Sequence, residues 1–366
     1  MLSTNNWRKK SANQMLHDLD PYLLQLPIVS VNDISFSELV PCSTYEIRKE
    51  YSVSGYPNLG KGFSPEEAKL SGLMESLEMC SIESLIPIEW YSPTLKSLIL
   101  NRHSIGESTN VHLSAYLGDI KCIDINDLIV GQYQHHGHHA KGFTNGLASG
   151  QFLDDSIVHS VYELIERHMI GSQTRIRLKP SLLSQELQSF LSKIEQLGLT
   201  CNIYFRGQYA KTITVESHII DNSLTSISQP YGGVGFGCSG NSNIAIARAI
   251  SEAFQCLSMA KSVYFKNYGL GTDLTGPIYG YSKDLNNFYA SSLKMVPQII
   301  SCKESSTSNL DFQLSTFNRV HTHDHLICDL VNEGITQFHY IVLTKSDLPF
   351  TVVRCFIDQL SNSYSI

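Results

Sequence analysis

The stretch VYELIERHMI, Val161 to Ile170, sets an apolar helix face against a charged one. At about 100° per residue, Glu163, Glu166 and Arg167 fall within one sector, joined by His159, while Val158, Val161, Ile165 and Met169 gather opposite. Taken alone, one E-x-x-E pair describes an ordinary surface helix with a solvated charged stripe. It gains meaning only if the pattern recurs.

Two other segments repeat it. GKGFSPEEAKLSGLMESLEMCSIESL begins at Gly60 and predicts a helix to about Ser84, with Ser64 as N-cap, Pro65 at the first helical position and Glu67 closing a capping box. On that helix Ser71, Glu75 and Glu78 share one stripe, opposite Leu73, Leu77 and Cys80. The segment YGGVGFGCSGNSNIAIARAISEAFQCLSMAKS predicts a third helix, on which Arg248, Glu252 and Gln255 oppose Ile250, Ala253 and Phe254. The opening helix is itself preceded by GLASGQFLDD, with Asp154 or Asp155 expected to cap it. Each acid-bearing helix thus follows a glycine-rich segment, expected to be a loop.

Three acid faces meeting without counter-charge would repel and desolvate one another at a cost that a marginally stable fold cannot carry, so a cation is expected among them. Magnesium suits this setting. It is a hard ion that prefers carboxylate and phosphate oxygens and usually keeps several waters. Lys61, Arg167 and Arg248 would then face phosphates, helped by the backbone N–H groups of glycine loops and helix starts. The standard nucleotide signatures do not fit: G-x-x-x-x-G-K-[ST] is absent, and GGVGFG lacks a ribose-binding acid at the expected distance.

With 366 residues, 42% hydrophobic and 17% charged, the chain has enough material for a large core. Its formal charge of -7 offers no basic field for nucleic acid. Neither a membrane span nor a secretory signal is evident, so a cytoplasmic protein without membrane partners is expected. The nine cysteines are scattered with no C-x-x-C pair, which fits reduced thiols. NIYFRG, TITVESHII, FHYIVLTK and FTVVRCFI alternate as strands, the last two as a pair, and no low-complexity linker divides the chain. One α+β domain is expected, with several loops and helices converging.

The segments GKGFSPEEAKLSGLMESLE, GLASGQFLDDSIVHSVYELIER and NIAIARAISEAFQ resemble, in order and spacing, the three signature blocks of the YcaO family, over roughly Lys49 to Leu360. The family pattern is GKG and S-x-x-x-E-x-x-E-R, then GLA-x-G-N, an acid and E-x-x-E-R-D, then E-x-x-Q-x-R. The resemblance implies an N-terminal extension over 1–45 and a YcaO domain over 46–362. It also implies an ATP- and Mg2+-dependent enzyme that activates a backbone amide of a ribosomally made precursor peptide, as in peptide antibiotic or bacteriocin maturation. The product would be an azoline ring or, with a TfuA-type partner, a thioamide. By that resemblance Glu75, Glu78, Glu163, Glu166 and Glu252 would hold magnesium, directly or through water. Lys61, Ser71, Gln151, Asp155, Arg167 and Gln255 would orient the nucleotide.

The chain departs from the family pattern at Met79 and Leu257, where arginines are usual, at His168 in place of aspartate, and at Gln151 and Asp155 in place of asparagine and glutamate. It closes QLSNSYSI, with no proline after Pro349 and no P-x-P-x-P tail. A catalytically degenerate precursor-binding protein is the alternative these departures suggest. With no fused recognition domain expected, the resemblance implies a separate peptide-recognition or TfuA-like partner, and it leaves room for a homodimer.

Two histidine tracts stand outside this pattern. HHGHH (His135, His136, His138, His139) lacks a partnering Cys or acid and is expected to be a loop. In HTHDH (His321, His323, His325), Asp324 or Thr322 is expected to cap the following helix.

Overall fold

A computed structural model describes residues 10–50, 57–102, 110–119, 121–124, 128, 144–171, 175–222, 232–268, 314 and 316–361. The chain begins α1 (Ala12–Leu23), β1 (Ile28–Asp33), β2 (Ser43–Lys49), β3 (Asn58–Gly62) and α2 (Pro65–Ile82). It continues through α3 (Pro93–Arg102), β4 (Asn110–His112), β5 (Ser114–Leu117), β6 (Cys122–Asp124), β7 (Leu147–Gly150) and α4 (Leu153–Ile170). Next come β8 (Ile176–Arg177), α5 (Gln185–Gln196), β9 (Leu199–Tyr209), β10 (Thr212–Asp221), β11 (Gly232–Ser239) and α6 (Ser242–Tyr268). The last elements are α7 (His323–Asn332), β12 (Phe338–Val342), β13 (Thr351–Phe356) and α8 (Asp358–Ser361). This is an α+β fold.

The strands form antiparallel sheets in the orders β1-β2-β3, β11-β10-β9-β8 and β5-β12-β13-β7, with β4-β6 as a small pair. The expected pair FHYIVLTK and FTVVRCFI is β12 against β13, in register from His339↔Phe356 to Val342↔Val353. The first helix and strand, which precede residue 46, are built into the molecule. Met15 and Leu19 of α1 join Leu70, Leu77 and Phe350 in one apolar cluster, and β1 pairs with β2.

The three glycine-rich segments are strands, not loops. β3, β7 and β11 each form an edge of their sheet, and each is followed directly by an acid-bearing helix, α2, α4 or α6. The glycines are needed for close approach. A Cβ on Gly60 would lie 1.9 Å from the Ala68 carbonyl oxygen and 2.3 Å from the Gly72 nitrogen of α2. One on Gly235 would lie 2.2 Å from the Ala253 nitrogen and 2.3 Å from the Ala249 oxygen of α6. Helix backbone therefore rests on strand backbone, which any side chain would prevent. Period-two alternation is hard to see in such a strand because half of its side chains are missing, and this is why GKG and GGVGFG read as loops.

Two caps also differ from expectation. Ser64 does accept the Glu67 N–H of α2 at 3.2 Å, but the Glu67 carboxylate reaches past the cap to accept the Phe63 N–H at 3.1 Å. The N-cap of α4 is Phe152, with no side-chain bond, and Asp154 and Asp155 sit in the first turn, where their charge favours the helix dipole. Thr322 caps α7, accepting from the His325 N–H.

We predict that Gly60→Ala or Gly235→Ala destabilises the protein by at least about 2 kcal/mol, because the clash is with backbone that cannot rotate away. Denaturant melts check this, and a variant that melts like the wild type contradicts the close-approach account.

Candidate functional site

Most of α2 is buried, and its acids are half-buried rather than fully exposed. Glu67, Glu75 and Glu78 face a cavity of about 340 Å³ walled by α2, α4, α6, β3 and β7. Glu75 and Glu78 come from α2, Glu163 and Glu166 from α4, and Glu252 from α6. Lys61 of β3, Arg167 of α4 and Arg248 of α6 are the lysine and arginines of the lining. Ser71 and Gln255 complete the predicted set found here. Gln151 and Asp155 are not part of the lining; they lie where β7 passes into α4.

The polar contacts show how the walls are aimed. Ser149 of β7 donates to one Glu78 oxygen from both its backbone nitrogen, 2.7 Å, and its hydroxyl, 2.6 Å. Asn58 reaches Glu75 at 3.4 Å. Gln255 is anchored by donating its amide to the Leu59 carbonyl, 2.7 Å away. Lys61 forms an ion pair with Glu252, tying β3 to α6. Arg167 stands 3.9 Å from Glu163 and 4.0 Å from Glu166. The Arg248 guanidinium lies 3.2 Å from Nδ1 of His159, which must be the unprotonated ring nitrogen because arginine only donates. Ser149 and Thr144 are lining residues that the periodicity of the helices could not reveal, since they come from β7 and the segment before it; Glu67, four residues before Ser71 on α2, extends the same stripe but reads in the sequence only as a cap.

Electrostatically the cavity is short of positive charge. Burial pushes Glu75 up to about 7, against the pull of Asn58 and Lys61. Burial likewise raises Glu78 to about 8, despite the Ser149 bonds, and Glu163 to about 7, despite Arg167. Glu166 is also raised by burial. Glu252 differs: burial alone would raise it, but Lys61, Arg167 and Arg248 together hold it below the usual carboxylate range.

These residues fit Mg2+ and a polyphosphate. Glu75, Glu78, Glu163, Glu166 and Glu252 offer hard oxygen ligands, and the Arg248 Nε is buried without a hydrogen-bond partner, as an anion-binding group would be before its anion arrives. Among the described residues no three His, Cys, Asp or Glu side chains are close enough to enclose a metal by themselves. Any ion here would complete its shell with water and phosphate oxygens, which is the habit of magnesium.

The departures from the family pattern have different fates. Met79 lines the cavity, so an apolar side chain occupies that wall. Leu257 is fully buried in the core beneath β11 and lies outside the cavity. His321 does not face the cavity either: it bonds Tyr162, at 2.9 Å, and Asp329, at 3.2 Å, in the interior. His135, His136, His138 and His139 lie outside the described residues.

Three strand-helix units sharing one acid-lined cavity define an α+β protein built to hold cations and an anionic ligand together. Comparison with known proteins gives the family. The model described as YcaO cyclodehydratase, ATP- and Mg2+-binding, matches residues 124–361, well over half of the chain, and the chain belongs to the YcaO family. A YcaO protein of Methanopyrus kandleri bound with AMPPCP and Mg2+ has the same fold, with a TM-score of 0.67 at 15% identity over 98% of this chain and 94% of that one. A heterocyclase in complex with substrate and cofactor gives 0.67 at 14% identity over 98% of this chain and 53% of that one. The Escherichia coli microcin synthetase McbBCD complex gives 0.60 at 10% identity, covering 91% and 86%. Uncharacterized proteins of two Mycobacterium tuberculosis strains are 24% identical over 297 residues, 71% of this chain, which spans 62% of their length. Among the described residues no helix is long and apolar enough to cross a membrane.

The raised carboxyls give a signed pH dependence. Between the ordinary value of 4.5 and about 7 to 8, the folded protein holds protons that the unfolded chain has released, so these groups cost stability as pH rises through that window. Without metal, Glu75→Gln with Glu78→Gln is expected to flatten the loss of melting temperature between pH 6 and pH 8.5 relative to wild type. Parallel curves would contradict the charge-deficient cavity. Removing the hydroxyl with Ser149→Ala is expected to weaken Mg2+ uptake by roughly tenfold, measured by titration calorimetry with AMPPCP present.

Proposed function

We propose that this protein uses ATP and Mg2+ to activate backbone amides of a ribosomally made precursor peptide, forming azoline rings in peptide antibiotic maturation. The observation that supports this most is the meeting of Glu75, Glu78, Glu163, Glu166 and Glu252 with Lys61, Arg167 and Arg248 around one cavity. When bound, MgATP supplies a phosphoryl group that turns the amide oxygen, a poor leaving group, into one that departs as phosphate.

The chain's own residues then have separable tasks. Glu75, Glu78, Glu163, Glu166 and Glu252, carried by three helices, would hold the metal, directly or through water. Lys61, Arg167 and Arg248 would face the phosphates; Lys61 is paired with Glu252, one of the acids that would hold the metal. Ser71 and Gln255 orient the nucleotide, the latter fixed by its bond to the Leu59 carbonyl. Gln151 and Asp155, outside the cavity lining, keep their nucleotide role only as a proposal from family resemblance. The ring's nucleophile is a Cys, Ser or Thr side chain of the peptide itself. A separate recognition protein presents that peptide, an inference supported by the family's synthetase complexes.

Met79 favours a second reading. An apolar residue on the cavity wall, where family members carry an arginine, suits a protein that binds the precursor or a partner enzyme with little turnover. Calorimetry with AMPPCP and Mg2+ separates the two. The enzyme reading predicts binding in the micromolar to millimolar range that falls at least about a hundredfold in Glu75→Gln with Glu166→Gln. No binding at millimolar nucleotide would eliminate it. Mass spectrometry of the precursor then divides the products: a ring costs the mass of one water, whereas a thioamide exchanges an oxygen for a heavier sulfur.

A further inference from the structure

A second depression, of about 390 Å³, is lined by Phe63, two residues after Lys61. Its floor is the small exposed part of Phe63 and Phe190, with Phe254 buried beneath. Phe63 meets Phe190 edge to face at 5.5 Å, and Phe190 meets Phe254 of α6 in the same manner at 6.2 Å. Pro41 closes one end, and Gln185, Ser189 and Lys193, one helical turn apart on α5, form the other wall. The rim carries one acid, Glu186, and one base, Lys193, so neither sign of ion is favoured. Such a groove suits a neutral, flat side chain.

Its position is what gives this chemistry a use. Leu59, Lys61 and Phe63 alternate along β3 and its extension, so the groove continues the row that carries Lys61 into the charged cavity. At about 3.3 Å per residue, Phe63 lies roughly 7 Å beyond Lys61, the spacing of two residues in an extended peptide. Glu67 spans the boundary: its side chain lines the cavity while accepting the Phe63 N–H. A peptide lying along this row would place one side chain on the aromatic floor and a backbone amide one or two residues away at the cavity.

We propose that this groove seats an aromatic or large apolar side chain of the peptide substrate, flanking the residue that is modified. This rests on the peptide-modifying reading of the neighbouring cavity. The groove selects peptides by that flanking residue, while the cavity binds nucleotide independently of it.

Two blocked pentapeptides test this, Gly-Phe-Cys-Gly-Gly and its counterpart with Ala for Phe, titrated into the full chain with and without AMPPCP and Mg2+. The wild type is expected to bind the Phe peptide at least about tenfold more tightly, the discrimination typical of an apolar pocket. Ser189→Trp, at an exposed position of α5, fills the groove and should abolish that preference while AMPPCP affinity stays within about twofold, since it touches no charged-cavity residue. Ser189→Ala leaves the groove open and should keep the preference. Equal affinity for the two peptides, binding of neither, or a preference that survives Ser189→Trp overturns the proposal. A Phe preference that Ser189→Trp removes, in a protein that binds no AMPPCP, leaves the groove standing and sinks the nucleotide reading instead.

Discussion

Carboxylates withdrawn from water must be met by positive charge or take up protons, and the architecture of this protein is organised around that requirement. Six glutamates from three helices share one cavity with one lysine and two arginines. The lysine is already engaged with Glu252, and Arg167 stands at the edge of contact with Glu163 and Glu166. The remaining deficit appears as carboxyl groups whose protons are held near or above neutrality. A cation bound there would relieve that repulsion, so under the proposed function metal affinity and folding stability would be linked through the same side chains.

What allows three acidic faces to meet is the close seating of each helix on its own strand. α2 and α6 rest on strands whose glycines leave no room even for a methyl group, and the strands are sheet edges, where a helix can cover them. Each strand also contributes directly to the cavity: β3 gives Lys61, and β7 gives Ser149, which fixes the Glu78 carboxylate. The same β3 row runs on to Phe63 and the aromatic groove. Scaffold and chemistry are therefore not separable at these positions.

Much of this was legible in the sequence for a physical reason. Helical periodicity places Ser71, Glu75 and Glu78 on one face whatever surrounds them, and the same holds for Glu163 with Glu166 and for Arg248 with Glu252 and Gln255. The structure brings all of these to one cavity. The glycine segments were misread because a strand that owes its place to missing side chains shows no alternation. The cap of α4 was misplaced because Phe152 makes no side-chain bond there, leaving nothing for a capping preference to detect. Ser149 depends on a contact between elements, which no local pattern encodes, and the groove joins residues as far apart as Pro41 and Lys193.

The central claim is that carboxylates from separate helices bind metal together with a nucleotide. A crystal structure with Mn2+ replacing Mg2+ and with AMPPCP, read by the anomalous signal of manganese, addresses it most directly. The account predicts manganese peaks inside the cavity, bonded to acids of at least two of α2, α4 and α6, with Lys61 released from Glu252 and turned to phosphate. Manganese and nucleotide bound elsewhere, with the Lys61–Glu252 pair intact, would contradict it.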